Sequence, residues 1–256
     1  MKKICFIITL VFSISFLFAQ PPCQYIYGAT EEDSITCRQR MFFFTEFYRS
    51  KSYTDAYESW QYLIQKAPCS LDRIYSWALT MFDNLIKEEE DSARRELLID
   101  SLLYTYDVRS IYFPDMFTAG SSLGIKAVAL SRFRPQQSKQ ALEWIVQSVG
   151  LENENTSPLV WKNYFQLAKS SRDITIISEA CQRALHYIPI AIQNATKSYE
   201  NTNEALKKLK QQLENEEINR SYYERRAKTL GTDTSRLSKH INDYRSVLKD
   251  FEDLAH

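Results

Sequence analysis

Apolar residues recur three and four positions apart along most of the chain, which is the spacing of one face of an α-helix. The clearest case is the stretch 37–70, where two apolar sets are separated by the polar turn Ser50-Lys51-Ser52 and closed by Pro68. The first set is Phe43, Phe44, Phe47 and Tyr48, and the second is Ala56, Tyr57, Trp60, Leu63 and Ile64. Because a helix does not run comfortably through a proline, the pattern predicts a pair of helices ending before Pro68.

The same shape recurs downstream. Two units place alanines at facing positions, where small side chains let two helices approach closely. These units are 122–153, with Ala129 and Ala141, and 161–192, with Ala168 and Ala180. A longer pair, 71–87 and 92–113, follows the first unit, and Asp91 or Ser92 is its predicted N-cap. With five glycines and seven prolines in 256 residues, the sequence predicts an all-α fold of long helices.

From Ile192 the apolar positions alternate between three and four residues apart, which is the seam of a coiled coil. The pattern predicts one helix over 192–230, with Gly231 as its C-cap, and a second over 237–251. Either the two helices fold back on each other as an antiparallel hairpin, or the first remains a single long helix exposed to solvent. A helix of a partner protein could also complete the seam. The chain therefore divides into helical pairs over 37–190 and a helical arm over 191–256.

The N-terminus has the pattern of a signal peptide. Lys2 and Lys3 precede an apolar run that ends at Phe18, and Ala19 is a small residue suited to the position before cleavage. A membrane anchor is the alternative, but the run falls short of the roughly 20 residues that span a bilayer. We expect residues 1–19 to be removed, leaving a loose extension over 20–36, and the protein to be exported to the periplasm or the periplasmic side of the outer membrane.

Four cysteines remain after this cleavage, and an even number in an exported chain permits disulfides. Cys37 begins the first helix of its unit and Cys69 follows the end of the second, so the two lie close in an antiparallel hairpin. Cys37–Cys69 is the preferred pair, and four unpaired thiols are the alternative. The pairing of Cys23 and Cys181 stays open.

The stretch 37–70 resembles the tetratricopeptide repeat (TPR), a helix–turn–helix unit of 34 residues. The residues that carry the likeness are Phe43, Phe47, Ala56, Trp60 and Pro68. Phe44 departs from the pattern, since the family usually has a small residue there. The resemblance extends over 37–190 in weaker form, and it implies a helical-repeat solenoid followed by the C-terminal arm.

A second, weaker resemblance is to exported TPR proteins of Bacteroidetes cell envelopes. Ala19-Gln20 at the predicted cleavage site and the phrase EFYRSKSYTDAYESW carry it. Some members of that group are implicated in secretion and gliding machinery. The resemblance implies a non-catalytic adaptor that binds protein partners in the envelope.

The family's binding positions lie on the concave face of each first helix. Carried across by register, they are Arg38, Met41, Thr45, Tyr48 and Arg49, then Lys126, Leu130, Phe133 and Arg134, then Lys162, Phe165, Lys169 and Arg172. This mapped face is basic and aromatic, although the whole chain has 32 basic and 32 acidic residues. The hypothesis is capture of an acidic or C-terminal segment of a partner. A solvated helical face is the alternative.

The sequence gives little support for a catalytic, cofactor or metal site. No Gly-rich phosphate loop, nucleophile elbow or paired-histidine helix occurs, and His186, His240 and His256 are scattered. Cys181 lies five residues before His186, a spacing that makes the two side chains diverge on a helix. We predict no catalytic residue, cofactor or metal, and a formal net charge of zero gives no case for nucleic acid. A structural subunit docking through its arm, or an exported enzyme with scattered site residues, is the alternative function.

Overall fold

The computed structural model of the protein describes residues 26–255, so the predicted signal peptide, 1–19, and Cys23 lie outside the described part. All regular secondary structure within residues 26–255 is helical, which confirms the all-α class. The nine α-helices of this part are α1 (Glu31–Arg49), α2 (Tyr53–Lys66), α3 (Arg73–Glu88), α4 (Ser92–Tyr112), α5 (Ala119–Phe133), α6 (Ser138–Glu152), α7 (Pro158–Ser171), α8 (Ile174–Glu214) and α9 (Arg220–Ala255). None of them is both long enough and apolar enough to cross a membrane.

Helices that follow each other in the chain pack against each other, from α1 on α2 through to α8 on α9. In addition α5 contacts α7, and α7 contacts α9, so the later helices form more than a simple row. The buried side chains form one continuous apolar cluster from Cys37 in α1 to Phe251 in α9. The alanines that the repeat register places at facing positions, Ala129, Ala141, Ala168 and Ala180, are all buried.

N-cap side chains explain where helices α1 and α4 begin. Asp91 accepts a hydrogen bond from the backbone N–H of Arg94, as predicted, and thereby satisfies one of the free donors at the start of α4. Thr30 caps α1 in the same way, and three acidic residues in the first turn complement the helix dipole. The chain is therefore already helical from Glu31, within the segment 20–36 that was predicted to be loose.

Close packing of α5 on its neighbours depends on a glycine. A Cβ atom added at Gly124 would lie 2.5 Å from Ser148 Oγ of α6 and 2.8 Å from Val160 Cγ2 of α7. Ser148 is itself fixed, because its hydroxyl donates to the Gly120 carbonyl across the α5–α6 contact at 2.7 Å. Both α6 and α7 therefore pack directly on the α5 backbone.

The C-terminal arm is an antiparallel hairpin, but its turn lies at 215–219 and not at Gly231. Glu216 has a φ of 60°, and the Glu217 N–H bonds the Gln212 carbonyl at 2.9 Å, which is a left-handed helix end without glycine. Asn219 then caps α9 by accepting from the Tyr222 N–H. Gly231 is an ordinary residue inside α9, so the predicted helix end there is wrong.

The arm is continuous with the helical pairs. Helix α8 runs from Ile174 to Glu214 and includes Pro189, so the predicted boundary at 190–191 lies inside one helix. The C-terminal half of α9 returns to the body, where the Tyr244 hydroxyl donates to the Thr156 carbonyl at 2.8 Å. Phe251 packs edge-on against Trp161 in α7. These contacts fix the base of the hairpin.

Candidate protein-binding groove

Lys126, predicted to bind a partner's acid, is engaged inside the molecule. Its ammonium lies 2.7 and 2.9 Å from the two carboxylate oxygens of Asp107 in α4, and 4.8 Å from the centre of the Trp144 ring in α6. The Lys126 side chain is only 13% exposed. It ties α5 to both neighbouring helices, so contrary to the prediction it is not a free cation.

Arg134 is engaged in the same way. Its guanidinium bonds the Glu96 carboxylate at 2.6 Å, the Asp100 carboxylate at 2.7 Å and the Glu96 carbonyl at 3.1 Å, all in α4. Burial alone lowers the pKa of Arg134, but the hydrogen bonds to Asp100 and Glu96 outweigh that effect and raise it. The predicted role of Arg134 in capturing a partner is therefore also corrected, because its charge is neutralised within the fold.

Some of the predicted binding residues on α1 pack within the fold, and others are exposed to solvent. Tyr48 stacks on Trp77 of α3, with ring centroids 4.4 Å apart, so its aromatic face is already occupied. The side chain of Thr45 donates to a backbone carbonyl of its own helix at 2.8 Å. The remaining predicted residues on α1 are half-buried Met41, exposed Arg38 over the Tyr27 ring, and exposed Arg49 paired with Glu46.

On α7 the predicted residues point to different neighbours. Phe165 packs edge-on against Phe251 of α9, with centroids 5.4 Å apart, and the Lys169 ammonium lies over the Phe165 ring. Phe165 therefore belongs to the contact with the C-terminal hairpin, whereas Lys169 is exposed beside it. Arg172 is exposed in the turn after α7, with a φ of 55°, and Lys162 is exposed on the face toward α5. On α5, Leu130 is buried in the core.

A groove runs instead between α3 and α5, with α4 as its floor. Its cavity measures about 300 Å³, and Leu79 of α3 and Val128 of α5 stand on opposite walls. The residues that line this cavity are Leu79, Thr80, Asp83, Leu102, Tyr106, Ile125, Val128, Ala129, Arg132, Phe133 and Leu159. Of the predicted binding residues, only Phe133 lines it.

The groove continues across α5 to α7. A second cavity of about 300 Å³ shares Val128, Arg132 and Leu159 with the first and adds Lys162 and other polar residues of α7. Leu159 stands between the two cavities, and its side chain is 54% exposed. The two cavities therefore form one open depression over α3, α5 and α7, which we call the A groove.

The electrostatics of the A groove are those of a lightly charged apolar surface. Arg132 and Asp83 form an ion pair across its first cavity, with Nη1 2.6 Å from Oδ1. Burial raises the pKa of Tyr106 in the floor, and the neighbouring Asp83 adds to that rise. Lys162 makes no ion pair within residues 26–255. The A groove thus offers aliphatic side chains, one neutral phenol, one unpaired cation and, in its second cavity, the polar side chains of Ser131, Asn163 and Gln166.

The cysteines and histidines show no reactive arrangement. Burial raises the pKa of the Cys181 thiol, whose sulfur contacts the Phe251 carbonyl, whereas a nucleophilic cysteine needs a lowered pKa. His186 and His240 each pack on a neighbouring tyrosine. Within residues 26–255 no group of His, Cys, Asp and Glu side chains could hold a metal ion.

The predicted Cys37–Cys69 disulfide is wrong, because Cys37 is a buried free thiol. Cys37 points into the core of the first helix pair, where burial and nearby Asp33 raise the pKa of its thiol. Cys69 is disulfide-bonded, to a partner that is neither Cys37 nor Cys181. Spacing along a hairpin did not predict that the Cys37 side chain is buried as a free thiol.

Comparisons of the chain with protein-family models, with curated proteins and with solved structures gave no match. The A groove was missed from the sequence because the candidate positions were mapped by the repeat register of the family. The signal was present in α5, which is apolar nearly all round, with Ile125 and Val128 on a different face from buried Ala127 and Leu130. A second apolar face on a helix that already has a buried one indicates a further contact.

Proposed function

We propose that the protein is a non-catalytic scaffold of the bacterial cell envelope that holds a segment of a partner protein in the A groove. The observation that carries the proposal is the open depression across three helices, which is largely apolar between α3 and α5, with Leu159 half exposed where its two cavities meet. The resemblance to exported TPR proteins supports a periplasmic location and a role in a secretion or gliding assembly. The raised pKa of both buried free thiols supports a role without catalysis.

The occupant that fits the A groove is an extended protein segment with an aliphatic side chain followed by an acidic residue. Leu79, Val128 and Leu159 provide apolar contacts for the aliphatic side chain, which gains free energy by leaving water. Lys162 lies at the α7 end of the groove without an ion pair, so it provides a charge for one carboxylate. In place of the basic and aromatic face predicted from the sequence, this proposal uses a single cationic position.

The test begins with a photo-crosslinking amino acid in place of Leu159, used in the native envelope, followed by sequencing of the crosslinked segment. The expected product is a segment with an aliphatic residue next to an acidic one. A synthetic peptide of that segment then allows titration against the chain and its variants. Leu159→Asp is expected to weaken binding by roughly tenfold or more, because an apolar contact is lost and a like charge is introduced.

Leu151→Asp is the matched control, since Leu151 is a similarly exposed leucine on α6 outside the groove. Thermal melts of both variants establish that they are folded. Lys162→Glu should also weaken binding of the peptide. A peptide whose acidic residue is replaced by the corresponding amide should bind the Lys162→Glu variant and the parent chain equally well. Equal binding by Leu159→Asp and Leu151→Asp would rule out the A groove.

A second candidate function is docking through the C-terminal hairpin, as a structural subunit. Between residues 192 and 240 the hairpin carries ten basic and seven acidic side chains. Near its tip four exposed cations, Lys207, Lys208, Arg225 and Arg226, make no ion pair within the described part of the chain. Charge reversal of Arg225 and Arg226 that released the chain from its assembly, while the groove peptide still bound, would favour this function over the first.

A further inference from the structure

Helix α1 has an apolar surface that none of the described residues covers. Phe42 is 61% exposed, Ile35 is 54% exposed and Phe43 is 44% exposed, and the Phe42 and Phe43 rings contact each other. The buried side of α1 carries Cys37 and Phe44, which pack toward α2 and α3. The sequence pattern placed Phe43 in the apolar set of the first helix, so its exposure is a finding of the structure.

The exposed surface of α1 is an ordered stripe of charge and apolar groups. Glu31, Ile35, Phe42 and Arg49 follow each other at intervals of four, seven and seven residues, which places them on one face of the helix. Glu31, at the acidic end of the stripe, makes no ion pair within the described residues. Arg49, at the other end, makes only an exposed ion pair with Glu46 in its own helix. Arg38, which is exposed and lies over the Tyr27 ring, falls on the same face between Ile35 and Phe42. From the N-terminal to the C-terminal end the stripe therefore carries an acid, an aliphatic residue, a base, an aromatic residue and a base.

Helical arrays usually end in a polar outer surface, because the last helix has no neighbour to cover it. Neighbouring exposed apolar residues mark an interaction site, so two phenylalanines and an isoleucine on α1 favour a contact that covers them. The charge order of α1 identifies the covering helix. When two copies of α1 pack antiparallel, Glu31 of each copy meets Arg49 of the other, and the two Phe42 rings lie near the centre.

We propose that α1 is the interface through which two copies of this chain form a two-fold symmetric dimer. The surface is self-complementary, as a two-fold interface requires, since the same patch contributes acid at one end and base at the other. The antiparallel arrangement also brings opposite helix dipole ends together. A dimer of this kind leaves the A groove and the hairpin of each copy outside the interface.

The experiment is sedimentation velocity of the chain beginning at Gln20, after the predicted signal peptide, at micromolar concentrations. The parent chain is expected to sediment as a dimer. Phe42→Glu is expected to raise the dimer dissociation constant roughly 100-fold or more, because two aromatic contacts are lost and two charges are buried. Tyr222→Glu, at an exposed aromatic residue on the hairpin, is the matched control and should remain dimeric.

A charge-swap series tests the antiparallel geometry. Glu31→Lys and Arg49→Glu should each raise the dissociation constant roughly 2- to 30-fold, since each lost pair occurs twice in the dimer. The double variant restores both pairs in reversed order, so its dissociation constant should return toward the parent value. Circular dichroism confirms that each variant is folded. A monomeric parent chain, a dimeric Phe42→Glu variant, or a double variant weaker than both single ones would overturn the proposal.

Discussion

Replacing Gly124 with alanine tests whether close packing on the α5 backbone holds the wall of the A groove in place. The new Cβ atom would lie 2.5 Å from Ser148 Oγ and 2.8 Å from Val160 Cγ2, both shorter than normal contacts. Gly231 in α9 offers the matched control, because a Cβ atom there meets nothing within 4 Å. Neither glycine has a positive φ, so both alanines fit the local backbone.

The magnitudes follow from these contacts. Forcing a methyl group into a packed site costs roughly 1–3 kcal/mol. Movement of Ser148 away from it breaks a buried hydrogen bond to the Gly120 carbonyl, which costs about 1 kcal/mol more. Alanine regains roughly 1 kcal/mol of helix propensity over glycine. Gly124→Ala should therefore destabilise the fold by about 1–3 kcal/mol, and Gly231→Ala should stabilise it by up to about 1 kcal/mol.

Urea unfolding followed by far-UV circular dichroism measures both variants. The free energy of unfolding is compared through the transition midpoint, provided that the slope of free energy against urea is unchanged. The two variants should shift the midpoint in opposite directions. If Gly124→Ala is as stable as the parent chain, or both alanines shift it in the same direction, the inferred packing of α6 and α7 on α5 is incorrect.

Three further predictions concern single sites. Arg134→Met should lower the free energy of unfolding by about 1–2 kcal/mol in urea titrations, because the bonds between the end of α5 and α4 are lost while the exposed carboxylates stay solvated. Non-reducing peptide mapping should find Cys69 joined to Cys23, the one cysteine left after the predicted cleavage once the two free thiols are excluded. Burial lowers the pKa of His240 from 6.5, an effect that nearby Arg236 reinforces and Asp243 opposes. The unfolded chain therefore binds a proton first, so melting temperature should fall as the pH drops below about 6.5, and His240→Gln should reduce that fall.

Local signals account for the parts of the fold that the sequence predicted well. The pair predicted at 71–87 and 92–113 differs from α3 and α4 by no more than two residues at any end. The predicted N-cap, Asp91, accepts a hydrogen bond from a backbone N–H only three residues away. The hairpin turn was misplaced because the glycine rule pointed to Gly231, whereas Glu216 adopts the left-handed conformation that glycine usually supplies.

The candidate site was harder to predict, because it depends on contacts between distant segments. Lys126 and Arg134 looked like free cations in the sequence, and their partners in α4 lie 19 to 38 residues earlier in the chain. No periodic pattern indicates such a pairing. The apolar wall of the A groove was visible as a second apolar face on α5, but only the positions of α3 and α7 make that face into a groove.

Helix α8 sets the distance between the helical pairs and the tip of the C-terminal hairpin. One run of backbone hydrogen bonds passes from the helical pairs into the arm, so no linker separates them, and at about 1.5 Å per residue its 41 residues extend roughly 60 Å. Pro189 removes a single bond from this run and lies where α8 is still buried against the body. Partners at the two proposed binding positions, the A groove and the hairpin tip, would consequently be kept apart at a separation that depends on the length of α8. Insertions or deletions in α8 would change that separation in steps of about 1.5 Å and rotate the tip by about 100° for each residue.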